Sequence, residues 1–162
     1  MAFLELRAST RLLRVSKRRL DAGGRETPER VLLDADPALA PSTKPPVRIY
    51  LGTQAEQHRA ERVFIWSIEQ VRDPTRVYEI YLMKNLKGFD QRGWTTGFTN
   101  YRFAIPHFAD GQGRAIYNDV DQIYLADPGA LFDLPMDEHS FLAITEKESS
   151  VMLIDCARMA SI

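Results

Sequence analysis

The sequence predicts an α/β domain built on a mostly parallel sheet, and three observations carry that prediction. Short apolar runs flank one long segment of helical period, in the order strand, helix, strand over residues 47–83. A third apolar run, Ala115-Ile116-Tyr117, ends on Asn118, Asp119 and Asp121, and open α/β sheets bind ligands at that end of their strands. With 162 residues, 44% of them hydrophobic, the chain is long enough to bury about two-thirds of its unfolded surface.

Taken in order, residues 1–33 read as a basic arm. Leu4, Leu12, Leu13, Val15 and Leu20 alternate with Arg7, Arg11, Arg14, Lys17, Arg18 and Arg19, the pattern of an amphipathic helix. Such a helix either packs on the domain or makes weak contact with an anionic membrane surface through residues 1–20. Residues 34–46 hold four of the nine prolines and read as a linker, so the organised domain spans 47–162.

VRIYLG (47–52) predicts the first strand of that domain. Residues 54–71 place Ala60, Val63, Phe64, Ile68 and Val71 at helical spacing, and Asp73-Pro74 ends the helix. RVYEIYLM (76–83) predicts a strand parallel to the first, since a helix lies between them. Residues 84–97 are polar and contain glycine, as a loop would. FTNYRFAIPHFA (98–109) predicts a short helix bent or stopped at Pro106. Asp127-Pro128 has the form of an N-cap with proline in the first helical position. FLAIT (141–145) and VMLID (151–155) predict two further strands.

Charge and composition exclude several roles. Residues 1–30 carry eight Arg and Lys against four Asp and Glu, and the remainder thirteen against eighteen. A mildly acidic globular part argues against nucleic-acid binding. Cys156 is the one cysteine, so no internal disulfide forms, and it reads as a packed thiol. No apolar run approaches the roughly 20 residues of a membrane span, and no secretory leader is visible; a cytoplasmic location is expected. His58, His107 and His139 read as surface or loop residues. Trp66 reads as core, and Trp94, in the polar loop, as a candidate stacking platform.

Asp119 and Asp121 share no basic neighbour in sequence: Arg114 lies at the far end of the strand and Lys147 well beyond. A solvated turn accounts for such a pair in isolation. A divalent cation accounts for it at the end of a core strand, because two carboxylates one residue apart in an irregular turn can reach one hard ion.

The blocks YRFAIPHF, RAIYNDVDQIYLADPGALFDL and SSVMLIDC, in this order and spacing, resemble glycosyltransferase family 8, the glycogenin and bacterial lipopolysaccharide galactosyltransferase type. The resemblance covers about Val47 to Arg158. It implies the GT-A nucleotide-diphospho-sugar transferase fold with a Rossmann-like sheet and a retaining hexosyl transfer. It further implies a nucleotide-diphospho-sugar donor, UDP-sugars being favoured, and Mn²⁺ or Mg²⁺ as cofactor. Asp119 and Asp121 would be the metal ligands, and backbone near Val120 would touch the nucleoside. Leu51, Gly52 and Thr53 would cradle base and ribose, Arg102 would approach the diphosphate, and Ser149 and Ser150 would lie beside the transferred sugar. The family's third metal ligand, a C-terminal His in a pattern like HxxGxxKPW, is missing from this sequence, so the domain reads as C-terminally incomplete. Thr53-Gln54-Ala55-Glu56 and Glu148 also depart from the family pattern. A degenerate or truncated domain that binds a nucleotide-sugar without turning it over is therefore the alternative. A nucleotidyltransferase is a more distant one, because Gly52 alone supplies no glycine-rich signature.

Overall fold

The computed structural model describes residues 14–16, 18–20, 24–89 and 98–161. Seven strands are formed: β1 (Arg14–Ser16), β2 (Glu29–Leu33), β3 (Val47–Gly52), β4 (Tyr78–Met83), β5 (Arg114–Asp119), β6 (Phe141–Ala143) and β7 (Val151–Asp155). They make one sheet in the order β1-β2-β4-β3-β5-β7-β6. The three central strands are parallel, β3 pairing with β4 on one side and β5 on the other. The outer pairings are antiparallel. The crossover from β3 to β4 is made by α1 (His58–Val71), as the strand, helix, strand order requires.

Strand alternation sorts the core into two layers. Val47, Ile49 and Leu51 of β3 pack on one face with Phe64, Ile65 and Ile68 of α1. Tyr50, between them in sequence, packs on the other face with Tyr101, Ile105 and Cys156. There its ring stacks on Tyr81 at 4.5 Å between centroids. β5 follows the same rule: Ile116 joins the first layer, Ala115 and Tyr117 the second. With both faces covered, β5 is buried from Ala115 to Asn118, which is why it reads as a continuous run.

Four expectations are corrected. The arm does not stand apart from the domain, since β1 and β2 extend the sheet beyond β4. Val31 and Leu33 are buried on one face of that extension, and the apolar alternation of a strand outweighs the basic composition around it. The proline-rich stretch joins two strands of one sheet instead of separating domains; Asp36 and Ser42 N–H groups donate to the carbonyls of Pro74 and Thr75. On α1 the buried stripe is rotated from the expected one: Val63 and Trp66 are exposed, while Glu61 and Ser67 are buried with Phe64 and Ile68. Finally, residues 99–104 form a 3-10 turn that leads into α2 (Ile105–Phe108), and Pro106 sits in the first turn of α2, where a missing N–H costs nothing. Residues 1–13 and Trp94 lie outside the described residues. Among the described residues no helix is long and apolar enough to cross a membrane.

The remaining helices are short, α3 (Pro128–Phe132) and α4 (Cys156–Met159). Asp127 caps α3 as its sequence indicates, its Oδ1 accepting from Gly129 N–H at 2.8 Å and from the Tyr78 hydroxyl at 2.7 Å. Replacing Asp127 by Ala removes both bonds. We expect a loss of about 1–2 kcal/mol in urea unfolding, with the folded spectrum retained.

Candidate functional site

The chain leaves β3 toward β4 on one side of the sheet and returns to β5 on the other. The carboxyl ends of β3 and β5 are therefore the point at which strand order reverses, and Gly52 pairs there with Asp119. Asp119 N–H donates to Ser150 O at 2.9 Å, and Val120 N–H donates to Gly52 O at 3.1 Å. The backbone at the acids is thus held from both neighbouring strands. Val120, between the two acids, turns its side chain into the core and is 3% exposed. Asp119 is partly buried at the end of the strand, and Asp121 is exposed in the turn that follows.

The acids have a basic partner in space that they lack in sequence. Arg102 Nη2 lies 3.7 Å from Asp119 Oδ1. The same nitrogen donates to the Tyr117 hydroxyl at 3.3 Å, and that hydroxyl donates to Asp119 Oδ1 at 2.5 Å. Arg102 Nη1 donates to Ser149 O and Oγ at 2.9 and 2.6 Å, and Nε donates to Thr99 O at 3.0 Å. Burial raises the Asp119 carboxyl above its ordinary value; the Tyr117 bond and the Arg102 charge pull it back, while Asp121 and Glu148 add to the rise.

The other expected donor-side residues are engaged as follows. Leu51 is core. Gly52 has no room for a side chain, because a Cβ there would meet the Tyr117 hydroxyl and, at 2.7 Å, the Phe98 ring. Thr53 is buried and donates to Glu61 Oε1 at 2.8 Å. Leu51 and Thr53 are buried whole, at 0% and 1% exposure, so neither presents surface to a ligand in this structure. Ser150 Oγ accepts from Gln122 Nε2 at 2.8 Å. Gln122 Oε1 accepts from Asn118 Nδ2 at 3.0 Å, and Asn118 Oδ1 accepts from the Tyr124 hydroxyl at 2.7 Å. This chain of amides and hydroxyls shapes the turn that carries Asp121.

Sequence reading missed several of these residues. Glu61, on the inner face of α1, receives Lys84 Nζ on both oxygens at 2.7 Å and sits directly under Thr53. Its place in line with Phe64, Ile65 and Ile68 was a signal that it faces inward. In sequence Tyr117 stands only as the end of an apolar run, and Phe98 only as the start of a predicted short helix. Cys156 is the packed thiol expected, burial pushing it up to about 11. His58, His107 and His139 are exposed.

Two carboxylates are a donor set for a hard cation that keeps water or phosphate oxygens in its other positions, which is how Mg²⁺ is commonly held. Asp119 and Asp121 fit that description. Among the described residues no three His, Cys, Asp or Glu side chains gather to complete an all-protein cage. A cavity of about 500 Å³ lined by Pro46, Arg48, Gly113 and Arg114 opens at the opposite ends of the strands. Charge and topology favour the acidic end over that cavity.

Comparison with known proteins places the fold. No family model matches the chain. A curated relative, Protein CDI of Arabidopsis thaliana, is 32% identical over 121 residues, covering 68% of this chain and 47% of that protein. Among solved structures, the WbbM bifunctional glycosyltransferase in its apo form superposes with a TM-score of 0.62 at 13% identity, over 76% of this chain and 34% of that one. The apo-form glycosyltransferase GlyE of Streptococcus pneumoniae TIGR4 gives a TM-score of 0.56 at 18% identity, over 74% and 36%. The fold is GT-A-like. The chain spans about half the length of the curated relative and about a third of the structural ones.

Because Asp119 binds its proton more tightly folded than unfolded, its contribution to stability is greatest below the unfolded value near 3.8. That contribution is lost as pH rises through the raised folded value. Asp119→Asn should therefore melt at a higher temperature than the parent at pH 7 in the presence of chelator. The gap should close as pH falls toward 4 in scanning fluorimetry; a parent that is the more stable at pH 7 contradicts the assignment.

Proposed function

We propose that this chain is the nucleotide-sugar-binding domain of a glycosyltransferase, taking a nucleotide-diphospho-sugar at the carboxyl ends of β3 and β5. The observation that carries it is the acidic pair at the end of β5, set at the strand-order reversal of a sheet shared with glycosyltransferases. Asp119 and Asp121 would hold Mn²⁺ or Mg²⁺, which supplies positive charge to a departing diphosphate. The nucleoside would lie over the ends of β3 and β5, nearest Gly52 and Val120, and the sugar nearest Ser150. The family 8 type, the UDP preference and retention of configuration belong to this proposal.

The chain's own residues do two things in this reading. The turn from Asn118 to Tyr124, tied to Ser150 and to Ser67 on α1, fixes where Asp121 stands. The buried Glu61–Lys84 pair beneath Thr53 neutralises a carboxylate that would otherwise repel an incoming diphosphate.

Calorimetric titration of UDP, then GDP, with and without Mn²⁺, tests the reading. We expect UDP binding that Mn²⁺ strengthens and that, with Mn²⁺ present, weakens at least tenfold in Asp121→Ala, with GDP bound less well. Absence of nucleotide binding in both conditions sinks the donor site. Binding without turnover of any UDP-sugar would make the chain a donor-binding module.

A further inference from the structure

We propose that Tyr117 and Arg102 are positioning residues for Asp119, and that Arg102 acts on the carboxylate without meeting the diphosphate. The inference rests on the donor-site reading above and adds a division of labour within it. All three guanidinium nitrogens of Arg102 are already committed, Nε to Thr99, Nη1 to Ser149 and Nη2 to Tyr117 and Asp119. Its plane lies over the Tyr117 ring at 4.5 Å, and the side chain is 9% exposed. An arginine so placed presents no open edge to a ligand.

The Tyr117 hydroxyl has one proton to give, and it goes to Asp119 Oδ1 at 2.5 Å. The hydroxyl oxygen is then the acceptor for Arg102, so the bonds run in one direction, from guanidinium to phenol to carboxylate. Among the described residues both contacts on Asp119 fall on Oδ1. That fixes the carboxylate plane and leaves Oδ2 as the oxygen available to a cation. Gly52 protects the arrangement, since any side chain there would occupy the place of the hydroxyl. Through Ser149 the same arginine holds the segment just before β7, where the Ser150 carbonyl receives the Asp119 N–H. Orientation of a metal-binding carboxylate by its outer neighbours is commonly worth about tenfold or more in metal affinity.

Two variants test this. Tyr117→Phe removes the hydroxyl and keeps the ring; Arg102→Lys keeps the charge and loses the planar fork. Mn²⁺ affinity is read by electron paramagnetic resonance without nucleotide, UDP affinity by calorimetry without metal, and exchange of the Asp119 amide by NMR. We expect about tenfold weaker Mn²⁺ binding in both variants, unchanged metal-free UDP affinity in Arg102→Lys, and faster Asp119 amide exchange in Tyr117→Phe. Retained Mn²⁺ affinity with weakened metal-free UDP binding in Arg102→Lys overturns the proposal and makes Arg102 a diphosphate ligand. If the parent chain binds neither Mn²⁺ nor nucleotide, the donor reading fails by itself. Amide exchange then decides the positioning role: faster exchange in Tyr117→Phe supports it, and unchanged exchange overturns it. Should Arg102→Lys fail to fold, Tyr117→Phe alone carries the same decision.

Discussion

The phenol of Tyr117, pressed against the backbone of Gly52, is the contact on which the acidic end of the sheet depends. Its ring is buried in the second core layer, so its position is set by Tyr101, Ile105 and Met152 and not by the site. Its hydroxyl reaches past the end of β5 into the space where the acids stand. Burial forces that hydroxyl to find partners, and it finds an arginine and a carboxylate at once. The core thus fixes a polar atom, and the polar atom fixes the charges. A pair of acids that would otherwise be two solvated side chains becomes one oriented carboxylate and one exposed one.

A second buried charge lies beside the first and is handled differently. Glu61 and Lys84 are both withdrawn from water, and their two short contacts, with Thr53 adding a third, compensate the desolvation that isolates them. Near the ends of β3, β4 and β5 the described residues therefore carry two ion pairs at different distances, a buried one of 2.7 Å for Glu61–Lys84 and a partly exposed one of 3.7 Å for Arg102–Asp119. The tight pair has both partners satisfied. The loose one leaves a carboxylate with capacity for another cation, which suits a ligand and costs stability.

Much of this was legible in the sequence, for local reasons. The parallel crossover followed from strand, helix, strand order, and the Asp127 cap from the residue before a proline. The position of Asp119 at a strand end followed from the apolar run before it. What escaped depended on partners distant along the chain. Arg102 and Asp119 meet because the 3-10 turn at residues 99–104 packs against β3, whose end pairs with the end of β5, and no spacing rule reports that. The rotation of α1 was readable in part, since Glu61 shares the line of Phe64, Ile65 and Ile68; Val63 drew the stripe to the wrong side because valine counts as apolar wherever it stands. The first strands were hidden by their arginines. Arg30, facing outward between Val31 and Glu29, pairs with Glu79 across the strands at 2.9 Å, so its charge is part of the sheet.

That cross-strand pairing bears on how the chain reaches its structure. β2 is antiparallel to β4, with Glu29 opposite Leu82 and Leu33 opposite Tyr78, so its partner is made only after β3 and α1 have been synthesised. Until then Val31 and Leu33 have no face to pack on, and the edge of β2 that will meet β4 stays open. Loop closure over that interval must precede any gain from the pairing, which slows the step and exposes an adhesive segment while it lasts. The arginines at 18, 19, 25 and 30 surround that segment. Their like charges keep one nascent chain from pairing with another, a protection that matters before the sheet exists and leaves little trace once it does.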